Sequence, residues 1–307
     1  MAVEPSPEET PKIEPWFTGP IFLRSGYTPG PGVVYVEPYL FFSDIFGQYD
    51  ARGHAHSTEK LHALTPLLWL QIGLGKRWEL DLQPSFTTSW QEGRSATGFD
   101  DLLTSLGYQL IKSHPDHWWP DLKLNVDEVW PTGRYQHLNP DKVGIDATGE
   151  GLFTTAVGLI AAKVYPLGCY QFLNLGLSAF YTFPSSTHVS GFNSYGGGFG
   201  TDGRVHVGRS VVADLGMEYE WSRHWACALD IVGTWSKRSH FTGTVGTDAT
   251  GLPAQVGKPS SAECSLAPAI EYNWSPKMGL IVGPWFTVAG RNTDQFVAGV
   301  AALAMIF

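Results

Sequence analysis

Hydrophobic and polar residues alternate at every second position in many stretches of the chain. Trp225, Cys227, Leu229 and Ile231 share one parity, and Asp230 lies on the other. A helix would instead repeat its apolar residues at intervals of three and four positions. The alternation therefore predicts β-strands with one apolar face and one polar face. The same alternation occurs at 78–86, 211–221 and 265–274.

The predicted strands are long, and their number is even. Most of the twelve segments have 13 to 18 residues, whereas strands of soluble sheets have about 5–6. A tilted strand that crosses a bilayer needs about 9–11 residues. We therefore predict an all-β fold, a single transmembrane antiparallel β-barrel of about 12 strands with both ends on one side. The segments are 33–46, 59–76, 77–90, 99–112, 120–132, 150–165, 170–183, 204–221, 224–238, 260–275, 277–290 and 295–307.

The connections between the predicted strands are of two kinds. Outer-membrane barrels have short periplasmic turns and long extracellular loops. If the first strand starts from the periplasm, every short connection here falls on the periplasmic side. The short connections are 76–77, 166–169, 222–224 and 275–277, and the long ones are 54–58, 134–149, 184–203 and 239–258.

Tryptophan and tyrosine concentrate near the predicted strand ends. In membrane barrels such rings form two belts, one at each interface. We expect one belt at the short turns and a second towards the opposite ends. The first contains Trp78, Trp118, Trp119, Tyr165, Tyr170, Trp221, Trp225 and Trp274, and the second Trp69, Trp90, Trp130, Tyr181, Trp235 and Trp285.

Composition narrows the class of protein. Of the 307 residues, 16% are charged, below the value of about 25% that is usual for soluble domains. No run of about 20 apolar residues occurs, which excludes a helical membrane protein. The formal net charge of −9 argues against a nucleic-acid partner, because phosphate contacts need basic patches.

The chain ends indicate the bacterial outer membrane. Residues 1–15 lack the basic and apolar parts of a secretory signal, so we expect that a signal peptide has been removed. Residues 297–307 alternate and end on Phe307, an ending typical of bacterial outer-membrane proteins. We expect Phe307 to be recognised by the barrel-assembly machinery, and outer-membrane lipids to surround the strands.

The N-terminal segment differs from the rest of the chain. Residues 1–32 contain many prolines and cannot form a central strand. We therefore divide the chain into a periplasmic or plug-like segment, 1–32, and a barrel, 33–307. Within the first part, Trp16 and Phe17 are apolar enough to be buried, and Arg24 could meet acids inside the barrel. The alternative is a disordered periplasmic tail.

The polar parity of the strands is rich in carboxylates, which cannot face lipid without a large energetic cost. We predict that these residues line the lumen together with a few tyrosines and one lysine. Two interpretations stay open: an acidic pore for cations or polar neutral solutes, or a partly plugged interior in which the acids pair with Arg24, Lys12, Lys123 or water. The predicted lumen residues are Tyr35, Glu37, Tyr39, Glu79, Asp81, Asp101, Lys123, Asp127, Asp214, Glu218, Glu220, Asp230, Glu263 and Glu271.

The sequence contains no recognisable catalytic motif, so we do not expect an enzyme. His54, His56 and His62 could in principle bind a metal, but no carboxylate or cysteine completes a ligand set in what we predict to be a solvated loop. We therefore expect no metal and no cofactor.

Three short motifs resemble those of a known family. They are GFDDLL followed by LGYQL at 98–110, VWPTG at 129–133, and TGEG at 148–151. The segments resemble the "MetA-pathway of phenol degradation" family of outer-membrane transporters. That resemblance implies a barrel channel and passive uptake of small aromatic or hydrophobic compounds.

The function we predict is an outer-membrane channel for passive passage of small solutes, with hydrophobic or aromatic compounds as candidates. Twelve strands lie between filled small barrels and open porins, which favours a constricted pore. The alternative is a non-conducting surface protein that acts through its loops at about 184–203 and 239–258.

Overall fold

The computed structural model of the chain describes residues 14–114 and 117–307. Long antiparallel strands dominate it, because alternating side chains can face lipid on one side and the interior on the other. No helix among the described residues is long and apolar enough to span a bilayer. The strands are β1 (Val34–Tyr49), β2 (Ala55–Gly73), β3 (Trp78–Gln83), β4 (Phe86–Gln91), β5 (Arg94–Phe99), β6 (Leu102–Ile111), β7 (Asp121–Trp130), β8 (Thr154–Pro166), β9 (Phe172–Pro184), β10 (Ser186–Ser190), β11 (Asp202–His206), β12 (Ser210–Ser222), β13 (Trp225–Ser236), β14 (His240–Thr244), β15 (Ser261–Ser275), β16 (Met278–Arg291) and β17 (Thr293–Ile306).

Twelve of these strands close into one antiparallel ring, which confirms the predicted barrel. The ring closes because β1 pairs with both β2 and β17. At this seam Val34 and Phe307 exchange two backbone hydrogen bonds. Recognition of Phe307 by the assembly machinery stays a prediction. β4 and β5 continue β3 and β6 as a hairpin beyond the ring, after breaks at 84–85 and 100–101.

The two faces of the ring differ as the alternation requires. On β12 and β13, Leu215 and Ile231 point outwards and are exposed, whereas Asp214 and Asp230 point inwards and are buried. Exposed leucine and isoleucine side chains in such numbers suit a hydrocarbon environment. Buried carboxylates on the opposite parity make the interior polar.

The two ends of the barrel differ in their connections. We call the end with connections 74–77, 112–120, 167–171, 223–224 and 276–277 the turn end, and the opposite end the loop end. Long connections at the loop end form a folded layer: β10, β11 and β14 make a separate three-stranded sheet. This sheet covers a small apolar core that includes Val189, Tyr195 and Val205.

Several predicted boundaries were wrong. The predicted loop at 54–58 belongs almost wholly to β2, and two connections at the loop end are tight, at 92–93 and at Asn292. The predicted strand 204–221 is two elements, β11 and β12, that belong to different sheets. The error at 54–58 arose because the part of a strand that extends beyond the membrane is polar on both faces, so that its sequence resembles that of a loop.

The three histidines considered as metal ligands are strand or turn residues. His62 pairs with Asp44 of β1 (Nδ1 to Oδ1, 2.5 Å), and His54 and His56 contact Asp50. The backbone N–H of His54 donates to the Asp50 carboxylate, and together with the His56 side chain it lowers the pKa of Asp50 to about 2. Asp50 thus organises the β1–β2 turn.

Closure of the ring predicts a gel-mobility difference. A barrel whose strands are all paired keeps its compact form in cold detergent, since no free edge offers a starting point for unfolding. The unboiled protein should migrate faster than the boiled protein in sodium dodecyl sulfate gels. Identical mobility of the two samples would contradict a closed barrel.

Candidate functional site

Residues 16–28, which we call the inner segment, form a U inside the barrel. Its two ends, Trp16 and Thr28, lie at the turn end, where their backbone N–H groups donate to side chains of β12 and β6. Its apex at 22–24 lies beside the middle of β13 and β7. The described part of the N-terminal region therefore enters and leaves the lumen through the same opening.

Carboxylates of the barrel wall accept the backbone N–H groups of the inner segment. Thr18 donates to Glu271 (3.2 Å) and Gly19 to Glu218 (3.1 Å). At the apex, two consecutive N–H groups donate to the two oxygens of Asp230, at 3.2 and 3.1 Å. All three acids are fully buried. A buried carboxylate is energetically costly unless it is hydrogen-bonded. The inner segment therefore stabilises these three acids, and the acids in turn hold the segment in place.

Arg24 holds the apex to a second part of the wall, at strand β7. Its guanidinium donates to both oxygens of Asp127 on β7 (3.0 and 2.9 Å), and the two side chains are only 15% and 7% exposed. Asp81 lies near this pair and has no direct hydrogen bond to a described residue. The arginine also lies over the ring of Phe180, at 5.2 Å. A bidentate, shielded pair of this kind fixes orientation as well as position.

A second cation neutralises the same wall. Lys123 of β7 forms an ion pair with Glu79 of β3, and neither side chain is exposed. Beside them, the Asn125 amide donates to Ser105 at 2.8 Å. Asp127 and Glu79 of this wall are therefore paired with Arg24 and Lys123, two of the cations that the second interpretation named, whereas Asp81 has no direct partner in the described part of the chain. The third cation named there, Lys12, lies outside the described residues.

Aromatic rings from the neighbouring strands β1, β16 and β17 pack around Phe22 next to the apex. Phe22 contacts Trp285 (ring centroids 4.7 Å apart) and Phe41 (6.4 Å), and Trp285 contacts Phe296 at 4.5 Å. Tyr39 stacks on Phe41 at 5.7 Å. We call these five residues the aromatic cluster. It contains one residue of the inner segment and four of the wall, so the segment completes it.

A cavity of about 330 Å³ lies beside the inner segment, and residues of β1, β2, β8 and β9 are among those that line it. We call it the lumen cavity, and its position is towards the turn end of the barrel. Aromatic rings and aliphatic side chains share its wall with polar and charged groups, among them Arg24, Asp121 and Glu218. Lining residues include Phe17, Tyr27, Tyr35, Glu37, Tyr39, Trp69, Gln71, Val164 and Ile306.

The remaining predicted lumen and plug residues lie at several levels of the barrel. Asp214 is buried on β12, and Glu263 of β15 accepts a hydrogen bond from Thr293 (2.8 Å) near the loop end. The Tyr35 hydroxyl is 3.3 Å from that of Tyr27. Glu37 and Phe17 both line the lumen cavity. Trp16 has its ring 5.3 Å from that of His224 at the turn end.

Asp101 has a different role from the one predicted. It lies between β5 and β6, where its two oxygens accept the backbone N–H groups of Gly133 and Glu150, both at 2.8 Å. A Cβ on Gly133 or Gly149 would collide with neighbouring backbone or with Asp101 itself. The three motifs that resemble the transporter family therefore meet at one point, where they tie a long loop to the barrel rim.

Some residues of the site were not found from the sequence. Many of the donors from the inner segment are backbone N–H groups, which every residue except proline has, so the sequence does not identify them. Trp69 and Trp285, predicted to lie in an interfacial belt, instead face the interior and pack on the buried core. Around Trp69 the residues 67–70 are apolar on both parities, so alternation could not show which way its ring points.

No protein-family model matches the sequence, and no curated protein matches it. Among solved structures, an outer membrane channel from Pseudomonas putida F1 is similar with a TM-score of 0.66. The match has 18% identity and covers 92% of this chain and 97% of that chain. At that identity the likeness shows a shared fold, that of an outer-membrane β-barrel.

Two further barrels are less similar. The β domain of the Bordetella autotransporter BrkA has a TM-score of 0.44 at 12% identity, covering 90% of this chain and 100% of that chain. The Pseudomonas putida toluene transporter TodX has a TM-score of 0.39 at 13% identity, covering 91% of this chain and 90% of that chain. Likenesses this weak add nothing to the fold assignment.

The Arg24–Asp127 pair predicts a stability effect. Arg24→Gln leaves Asp127 and Asp81 without this cation, and breaking a buried pair typically costs about 3 kcal/mol or more. We expect the free energy of unfolding, measured with denaturant in lipid vesicles, to fall by that amount. Arg94→Gln, which breaks the exposed Arg94–Glu92 pair, should cost less than about 1 kcal/mol. Equal losses in the two variants would refute the assigned role of Arg24.

Proposed function

We propose that this protein is an outer-membrane channel for the passive passage of small, uncharged aromatic or hydrophobic compounds, and not an enzyme. The observation that carries the proposal is the lumen cavity beside the inner segment, where aromatic and aliphatic side chains line the wall together with polar ones. A cavity of about 330 Å³ is at the small end of ligand sites, which suits a compound of one or two rings.

The chemistry of the lumen favours uncharged solutes over ions. Glu218, Glu271 and Asp230 accept hydrogen bonds from the inner segment, and Asp127 and Glu79 are paired with cations. Carboxylates with such partners offer little to a passing cation. What stays open to a solute is the side of the cavity where Tyr35, Tyr39 and Trp69 lie, with Glu37 and Gln71 between them.

The aromatic cluster would act as the narrowest point. Its rings contact one another between the inner segment and the neighbouring strands β1, β16 and β17, and we expect a solute that moves beyond the lumen cavity to pass beside them. Flat apolar molecules can replace ring–ring contacts with similar ones, whereas a sugar would lose hydrogen bonds to water without replacement. The cluster therefore selects by polarity as well as by size.

A second candidate is a non-conducting surface protein that acts through its loops. The folded layer at the loop end favours it, because three strands and an apolar core are more structure than a simple connection needs. In this case the inner segment would be a permanent seal. Uptake and conductance measurements separate the two candidates.

Uptake by cells tests the proposal. Cells that display the protein in their outer membrane should take up radiolabelled benzyl alcohol faster than cells without it, and arabinose no faster. Val164→Trp places a large ring at the wall of the lumen cavity and should reduce benzyl alcohol uptake to the background rate. Leu159→Trp, on the exposed outer face of the same strand, is the matched control and should have no effect.

Two outcomes would overturn the proposal. Faster uptake of arabinose than of benzyl alcohol would indicate an open polar pore. Background uptake of both compounds, together with no conductance of the purified protein in planar bilayers, would favour the non-conducting surface protein.

A further inference from the structure

Two basic side chains lie at the loop end of the barrel, on its outer face and just beyond the ends of two strands. Arg209 and Lys237 lie one position beyond the last paired residues of β12 and β13, and the Lys237 N–H donates to the Arg209 carbonyl (3.0 Å). Both keep the outward parity of Val211 and Trp235, which pair directly below them. The two cations are therefore neighbours on the face that the barrel presents to lipid.

Aromatic rings mark this position as a membrane interface. The Arg209 guanidinium lies over the ring of Phe183 on β9, at 5.6 Å. Trp235 is 51% exposed and Phe183 44%. Exposed aromatic residues in this arrangement lie at the level of lipid headgroups. Arg209 and Lys237 therefore lie where the headgroups of the outer leaflet begin.

The positive charge continues upwards from this pair. Arg238 follows Lys237, and Arg204 lies on β11, five residues before Arg209. A Cβ at Gly208 would collide with the carbonyl oxygens of Lys237 and Arg238, so the two connections run in close contact. All four basic side chains are exposed. We call Arg204, Arg209, Lys237 and Arg238 the basic strip.

The basic strip is not neutralised by acidic partners of the kind that some other cations have. Arg94 pairs with Glu92 and Lys258 with Glu150. In the part of the chain that the structure describes, no carboxylate forms an ion pair with a member of the strip. In a chain with a net charge of −9, these four exposed cations make the rim locally positive.

We propose that the basic strip binds the phosphate groups of the glycolipid that forms the outer leaflet of the outer membrane. Arginine recognises phosphate oxygens with two parallel N–H donors, and lysine contributes a point charge. The acyl chains of the same lipid would lie against Trp235 and Phe183, directly below. The phosphates of one lipid molecule would thus contact the basic strip, and its acyl chains would contact the apolar surface below the strip.

Titration with a fluorescent lipid tests this site. Purified full-length protein in neutral detergent is titrated with labelled bisphosphoryl lipid A, and with the same lipid after removal of its phosphates. The double variant R209Q/K237Q should bind bisphosphoryl lipid A about tenfold more weakly, or worse, since each basic residue near an anionic surface contributes measurably. K76Q/R77Q removes an equally exposed basic pair at the turn end and should bind as the unaltered protein does.

The phosphate-free lipid gives a test that does not depend on any variant. It should bind the unaltered protein as weakly as bisphosphoryl lipid A binds R209Q/K237Q. Equal binding of the two lipids, or equal losses in the two double variants, would overturn the proposal. Phosphatidylglycerol that competes as well as bisphosphoryl lipid A would overturn the assignment to the glycolipid. Unboiled gel mobility checks that each variant is folded.

Discussion

Buried carboxylates inside the barrel are the constraint on which the rest of the structure depends. Strands that turn their apolar residues to lipid must turn their polar ones inwards, and here many of those are acids. Such groups need hydrogen-bond donors or cations close by. The inner segment supplies them: backbone N–H groups for Glu218, Glu271 and Asp230, and the guanidinium of Arg24 for Asp127.

This compensation also shapes the open space. Because the acids that receive the segment lie on β12, β13 and β15, its ascending half lies against that wall. Space stays free on the side of β1 and β2, where tyrosines and Trp69 replace acids as the dominant lining. At the apex Phe22 completes the aromatic cluster. The inner segment thus provides partners for the acids on one side of the lumen and reduces the open space on the other side.

Much of the barrel could be predicted from the sequence because lipid imposes period two on every strand. The burial of Asp230 and Glu271 on one parity follows the alternation directly. Alternation could not divide 204–221 between two sheets, since β11 lies outside the ring and is no longer held to that rule. Nor could it place the inner segment, whose contacts are made by backbone donors and whose path depends on acids that are distant in sequence.

Amide hydrogen exchange of residues 18–23 tests the central claim most directly, because the claim concerns these N–H groups. In the folded protein in detergent micelles, the amides of Thr18, Gly19, Phe22 and Leu23 should exchange much more slowly than in a peptide of the same sequence. Asp230→Asn should accelerate exchange at Phe22 and Leu23 first, since both donate to that carboxylate. Exchange at the rate of the free peptide at all four positions would contradict the account.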